Sequence, residues 1–140
     1  MKEHVVLDSW AVMVWLGAEQ PAASEVHTLL ERADANEINL SLCRINLGEV
    51  YYGVARRRGF GVADHVRTSL EASAVELVGV DDELIWQAAG LKARHSLSYA
   101  DAFAAALALR KDAPLVTGDA EFEPLVKARG LKLRWLTRAR

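Results

Sequence analysis

Apolar positions along the chain follow two rhythms that alternate from the first residues to the last. Short runs at 4–7, 38–42, 75–80, 113–117 and 131–136 are either continuously apolar or alternate apolar with polar, and these predict five strands. Between them the apolar residues recur at helical spacing. Val26, Leu29, Leu30 and Ala33 stand at i, i+3, i+4 and i+7, and Leu47, Val50, Tyr51 and Val54 restart the same period. Further helices are expected over 10–16, 62–72, 98–109 and about 120–129, with Leu84, Ile85, Ala88 and Leu91 marking another. Punctuation agrees: Pro21 suits a helix start, Gly59-Phe60-Gly61 closes a helix, and Gly130 is placed as a C-cap. Strands separated by helices imply a mainly parallel sheet covered on both faces, an α/β fold of three-layer α/β/α type. At 140 residues, with no repeat, low-complexity stretch or linker, the chain reads as one domain over 1–140.

The run Ser98-Tyr99-Ala100-Asp101-Ala102-Phe103-Ala104-Ala105-Ala106-Leu107-Ala108-Leu109 reads as a buried helix at the centre, because Ala and Leu favour helix and Ala permits close backbone approach. Asp101 is its anomaly, a lone carboxylate in the first turn. Ser98-x-x-Asp101 has the spacing of a capping box, and Asn46-x-x-Glu49 has it too. Asp81, Asp82 and Glu83 are expected to complement a helix dipole rather than to bind a ligand. Trp15, Tyr51, Phe103 and Trp135 are expected in the core or at a dimer seam.

Composition adds exclusions. Cys43 is the single cysteine, which removes an intrachain disulfide or a cysteine-based zinc site, and His4, His27, His65 and His95 fall at no ligand spacing. Asp8 interrupts the apolar N-terminal stretch and no 18-residue apolar run occurs, so neither export nor membrane insertion is expected, and the cytoplasm is the expected compartment. The net charge of −2 argues against binding nucleic acid by bulk electrostatics, yet the charge is unevenly spread. Arg56-Arg57-Arg58 form one basic cluster, and Lys127, Arg129, Lys132, Arg134, Arg138 and Arg140 crowd the end of the chain. Such a split suits a protein that grips a phosphate backbone at its margins and keeps carboxylates at its centre; a solvated helix end and a basic tail account for each cluster taken alone.

Those carboxylates converge. Ligands of open parallel sheets bind at the C-terminal ends of the strands. Asp8 closes the first strand and Asp119 follows the 113–117 strand after one glycine, while Asp101 and Glu49 lie near the starts of helices on the same side. Two unit charges ~5 Å apart repel by roughly 3 kcal/mol at an effective dielectric of 20, so four clustered acids cost on the order of 20 kcal/mol unless a cation lies among them. Oxygen-only ligation selects Mg²⁺ or Mn²⁺. Taken singly, Asp8 and Asp119 also suit N-caps, Asp101 and Glu49 capping partners, and Thr117 an ordinary strand residue.

Four motifs carry a family resemblance: Val5-Val6-Leu7-Asp8-Ser9, Ile45-Asn46-Leu47-Gly48-Glu49-Val50-Tyr51-Tyr52-Gly53-Val54, the central run from Ser98 to Ala108, and Leu115-Val116-Thr117-Gly118-Asp119-Ala120-Glu121-Phe122. In this order and at these separations they resemble the motifs of PIN-domain ribonucleases, most of all the VapC toxins of toxin-antitoxin pairs. The resemblance implies a single PIN-like domain in which Asp8, Glu49, Asp101 and Asp119 hold the metal and carry catalysis. Thr117, Glu121 and Ser9 would support them. It further implies Mg²⁺-dependent (or Mn²⁺-dependent) endoribonuclease action on structured RNA, a homodimer, and a cognate antitoxin covering the acidic groove. Trp10 is bulkier than the pattern would place after Ser9. A phosphoacceptor domain of receiver type would need an adjacent acid pair after the first strand and a lysine closing the last, and Asp8-Ser9 and Leu136-Thr137 supply neither. A PIN-like module that binds RNA or protein without cutting is the remaining alternative.

Overall fold

The computed structural model describes residues 2–137. Five strands, β1 (Glu3–Leu7), β2 (Ile38–Cys43), β3 (Glu76–Val78), β4 (Leu115–Thr117) and β5 (Leu133–Trp135), form one sheet in the order β3-β2-β1-β4-β5. Every pairing is parallel, with Val5 opposite Leu40, Leu7 opposite Val116, and Thr117 opposite Trp135. Parallel neighbours need crossover connections, and the helical segments supply them: α1 (Ser9–Leu16), α2 (Ala22–Asp34), α3 (Arg44–Arg58), α4 (Phe60–Glu71), α5 (Asp82–Arg94), α6 (Tyr99–Lys111) and α7 (Glu123–Arg129). The three-layer α/β/α architecture is the one that the alternating rhythm implies.

The pleat of β1 divides the interior. Val5 and Leu7 point into a core with α1, α2, α3 and α4, whereas Val6 points into a second core with α5, α6 and α7. In that second core α6 is the centre, with every residue from 101 to 108 buried. Its alanines keep the helix close to β1, and Leu107 and Leu115 fill the remaining space. Cys43 is buried as a small apolar residue.

The structure corrects several local expectations. The third strand is Glu76–Val78, shorter than the 75–80 run. The helix expected over about 120–129 divides into a 3₁₀ turn, Ala120–Phe122, and α7, because Pro124 lacks the N–H that a continuous helix would use. Asn46 is not a cap: α3 already begins at Arg44, so Asn46 lies inside its first turn. Of the four aromatics expected in the core or at a dimer seam, Phe103 is buried in the second core, Trp15 and Tyr51 pack partly buried against the first, and Trp135 lies outside both, 43% exposed on the edge strand β5. The acids at 81–83 serve their helix as expected, Asp81 accepting the Leu84 N–H and Asp82 and Glu83 filling the first turn of α5. In the basic end of the chain, Lys132 pairs with Asp112 and Arg134 with Glu3, while Arg138 and Arg140 lie outside the described residues.

Candidate metal centre

The strand order reverses between β1 and β4, and in a parallel sheet that reversal opens a crevice at the strands' C-terminal ends. Asp8 directly follows β1 and Asp119 follows β4 through Gly118, so the two flank the crevice.

Asp8 is 1% exposed and has both carboxylate oxygens engaged. Oδ1 accepts the Ala11 N–H at 2.8 Å, capping α1, and Oδ2 accepts the Thr117 hydroxyl at 2.5 Å. Thr117 in turn accepts the Asp119 N–H at 3.0 Å, so one buried hydroxyl ties Asp8 to the backbone of Asp119. Asp119 Oδ1 accepts the Glu121 N–H at 2.9 Å and caps the 3₁₀ turn, which brings Glu121 back over the crevice. From the other core, Ser98 accepts the Asp101 N–H at 3.1 Å. The capping arrangement is real, and the Asp101 side chain still reaches the other acids.

Asp101, Asp119 and Glu121 each offer an oxygen within 4.8 Å of the others. This cluster could hold a divalent cation, and its donors are all hard oxygens. Asp8 stands close enough to Asp101 and Asp119 to be repelled by both, and Glu49 repels Asp101. Glu49 lies on α3, where the Ser9 hydroxyl donates to its Oε1 at 2.5 Å. Thus, of the four acids singled out in the sequence, Asp101 and Asp119 meet closely, together with Glu121, whereas Asp8 and Glu49 are near enough to repel Asp101 but are not part of that close group.

The electrostatics record the crowding. Burial pushes the Asp8 carboxyl up to about 7, against the lowering effect of its bonds to Thr117 and Ala11. Asp101 is raised to about 7 as well, first by burial, then by the charges of Asp119 and Glu49 and by a hydrogen bond shared with Glu121. A cation in the crevice would remove this penalty, so the donor set and its strained protonation fit a divalent ion.

Two contacts at the site are encoded by no local spacing. Asn46 is fully buried, donates from Nδ2 to the Ala100 carbonyl at 3.1 Å, and leaves its Oδ1 without a partner. It clamps the start of α6 to α3, the helices that carry Asp101 and Glu49; its polarity within an apolar helix face was the available signal. The second is the Trp10 and Gly118 pair. A Cβ on Gly118 would stand 2.2 Å from the Trp10 ring, so the indole lies directly over the residue between Thr117 and Asp119. The bulk of Trp10 therefore forms a wall beside the crevice and requires glycine at 118.

The fold is an open parallel sheet with acids gathered at its β1/β4 reversal, and the sequence makes its class specific: residues 5–127 match the PIN domain, and the chain belongs to that family. Solved structures agree in fold. A chain of VapBC2 from Rickettsia felis, bound to a DNA fragment from its promoter, is 16% identical with a TM-score of 0.71, covering 96% of this chain and 99% of that one. A chain of the DNA-bound VapBC of Salmonella typhimurium is 15% identical with a TM-score of 0.70, over 96% and 98%. Mycobacterium tuberculosis VapC20, described as a sarcin-ricin loop cleaving toxin, is 21% identical with a TM-score of 0.67, over 86% and 93%. No curated protein matches the sequence. Among the described residues no helix is long and apolar enough to cross a membrane.

Proposed function

We propose that this chain is a VapC-type toxin, a Mg²⁺-dependent or Mn²⁺-dependent endoribonuclease that hydrolyses phosphodiester bonds of structured RNA, folded as one PIN-like domain over 1–140. Membership of the PIN family and the likeness to VapC20, a sarcin-ricin loop cleaving toxin, support the reading. The observation that carries it is the meeting of Asp101, Asp119 and Glu121 at the sheet's reversal, with Asp8 and Glu49 near enough to act electrostatically on Asp101, and with Asp8 and Asp101 both raised to about 7, first by burial and then by neighbouring charge.

In this reading Asp8, Glu49, Asp101 and Asp119 would hold the ion, which when bound would supply water activation and charge neutralisation at the phosphate. The chain's own residues set the geometry. Thr117 fixes Asp8 and the backbone of Asp119 through one hydroxyl, Ser9 aims Glu49, and Glu121, with an oxygen within 4.8 Å of those of Asp101 and Asp119, supports that pair. Likeness to chains of the VapBC and FitAB assemblies and of a toxin-antitoxin complex supports a cognate antitoxin as partner; a homodimeric, cytoplasmic protein belongs to the same reading.

The test is cleavage of total cellular RNA by purified, antitoxin-free protein, with Mg²⁺ or with chelator, beside Asp101→Asn. Discrete fragments that need both the metal and Asp101 are expected. Failure to cleave by a folded protein that still binds RNA or a partner would assign the chain to the non-catalytic binding modules instead.

A further inference from the structure

On the opposite side of the sheet from α1 and α2, helices α5, α6 and α7 enclose a groove of about 320 Å³. Gly90 of α5 and Ala106 of α6 keep its floor low, and Trp86 stands over it 73% exposed, more than any other large apolar side chain described. Its charged lining is entirely cationic: Arg94, Arg110 and Arg129. Arg110 is held by Asp81, which takes both guanidinium nitrogens at 2.7 and 3.0 Å. Arg94 donates only to the Gly90 carbonyl, and Arg129 has no partner among the described residues. On a chain of net charge −2, a groove with two uncompensated guanidiniums and no lining carboxylate is a local reversal of sign.

We infer that this groove binds a single-stranded segment of RNA, with a base stacked on Trp86 and backbone phosphates taken by Arg94 and Arg129. The chemistry selects that ligand. An exposed indole offers a flat face on which a base can stack, guanidiniums without carboxylates select a polyanion, and an aromatic platform between cations is the arrangement that holds unpaired strands. Topology connects the groove to the acidic crevice. Arg94 ends α5 and leads through 95–97 to Ser98, the N-cap of α6, and on to Asp101, so a strand in the groove lies along the hairpin whose turn precedes the candidate site. The choice of RNA rather than another polyanion rests on the ribonuclease reading; the groove itself does not.

The experiment measures binding of a labelled single-stranded oligoribonucleotide in chelator, where no cleavage occurs, by fluorescence anisotropy. Trp86→Ala should weaken binding roughly five- to hundredfold and Trp86→Phe should retain most of it. Arg94→Ala/Arg129→Ala should weaken it and flatten the dependence of log K on log salt by about 1.4, since each phosphate contact on a single strand contributes about 0.7. Cleavage in Mg²⁺ of a short reporter that spans only the acidic crevice should be unchanged by all three. RNA affinity and salt slope equal to wild type in the variants would overturn the inference. So would loss of an oligomer in Trp86→Ala at unchanged RNA affinity, which would make the face a protein seam. Trp86-dependent binding without any cleavage would uphold this site and overturn the ribonuclease reading alone, so the two failures are distinguishable.

Discussion

Asp8 shows how a single carboxylate can be both structural and costly. Its ordinary value near 3.8 rises to about 7 in the fold, so between those limits the folded chain binds more protons than the unfolded one. Stability from this group is therefore full at low pH and falls as pH rises from about 4 to 7, by at most about 4 kcal/mol at 1.36 kcal/mol per unit. In chelator, Asp8→Asn should be more stable than the native chain at pH 8, with the advantage vanishing by pH 4 in urea titrations; equal pH profiles for the two would refute the assignment. The same substitution should abolish cleavage. Thr117 offers the complementary case, since Thr117→Val strips a buried carboxylate oxygen of its donor while keeping shape. It should cost about 1–3 kcal/mol of stability at neutral pH, and Thr117→Ser should restore most of it.

At the scale of elements, the crevice depends on how α1 and α3 meet α6 and the end of β4. Gly118→Ala would drive a methyl group into the Trp10 ring, and overpacking of that kind costs about 1–3 kcal/mol and displaces Asp119. Adding Trp10→Ala should recover the loss, and a double-mutant cycle with no coupling would contradict the contact. Asn46 makes one bond to Ala100 and leaves one buried oxygen unpaired, so its stabilising and destabilising contributions oppose each other. Asn46→Ala should then leave the urea midpoint nearly unchanged while loosening α6 against α3. Calorimetric titration with Mn²⁺ should register that as at least several-fold weaker binding, whereas unchanged affinity would reduce Asn46 to a packing residue.

For the whole molecule, the two cores and the sheet between them place acids from both helical layers on one rim, and the proposed cation would stabilise only the folded state. Mg²⁺ should raise the melting temperature at pH 7.5 in a concentration-dependent way, following RT ln(1 + [L]/Kd), and Asp101→Asn should remove most of the rise. Much of this was legible along the chain. Hydrophobic rhythm specified strands, helices and a parallel sheet because periodicity records which face of an element is buried. The rule that ligands sit at strand ends brought Asp8, Glu49, Asp101 and Asp119 together without coordinates. Tertiary structure alone decided what those acids touch. Thr117 and Asp8 are 109 positions apart, and no local spacing encodes their bond. Glu121 meets Asp101 because a short 3₁₀ turn folds it back, and Asn46 clamps α6 rather than capping α3 because its helix starts two residues earlier. Trp135 is exposed because its strand is an edge, and Trp86 overhangs a cationic groove because α7 delivers Arg129 from a distant part of the chain. Local patterns determine which face of each element is buried; only the packed chain determines which distant side chains that burial brings into contact.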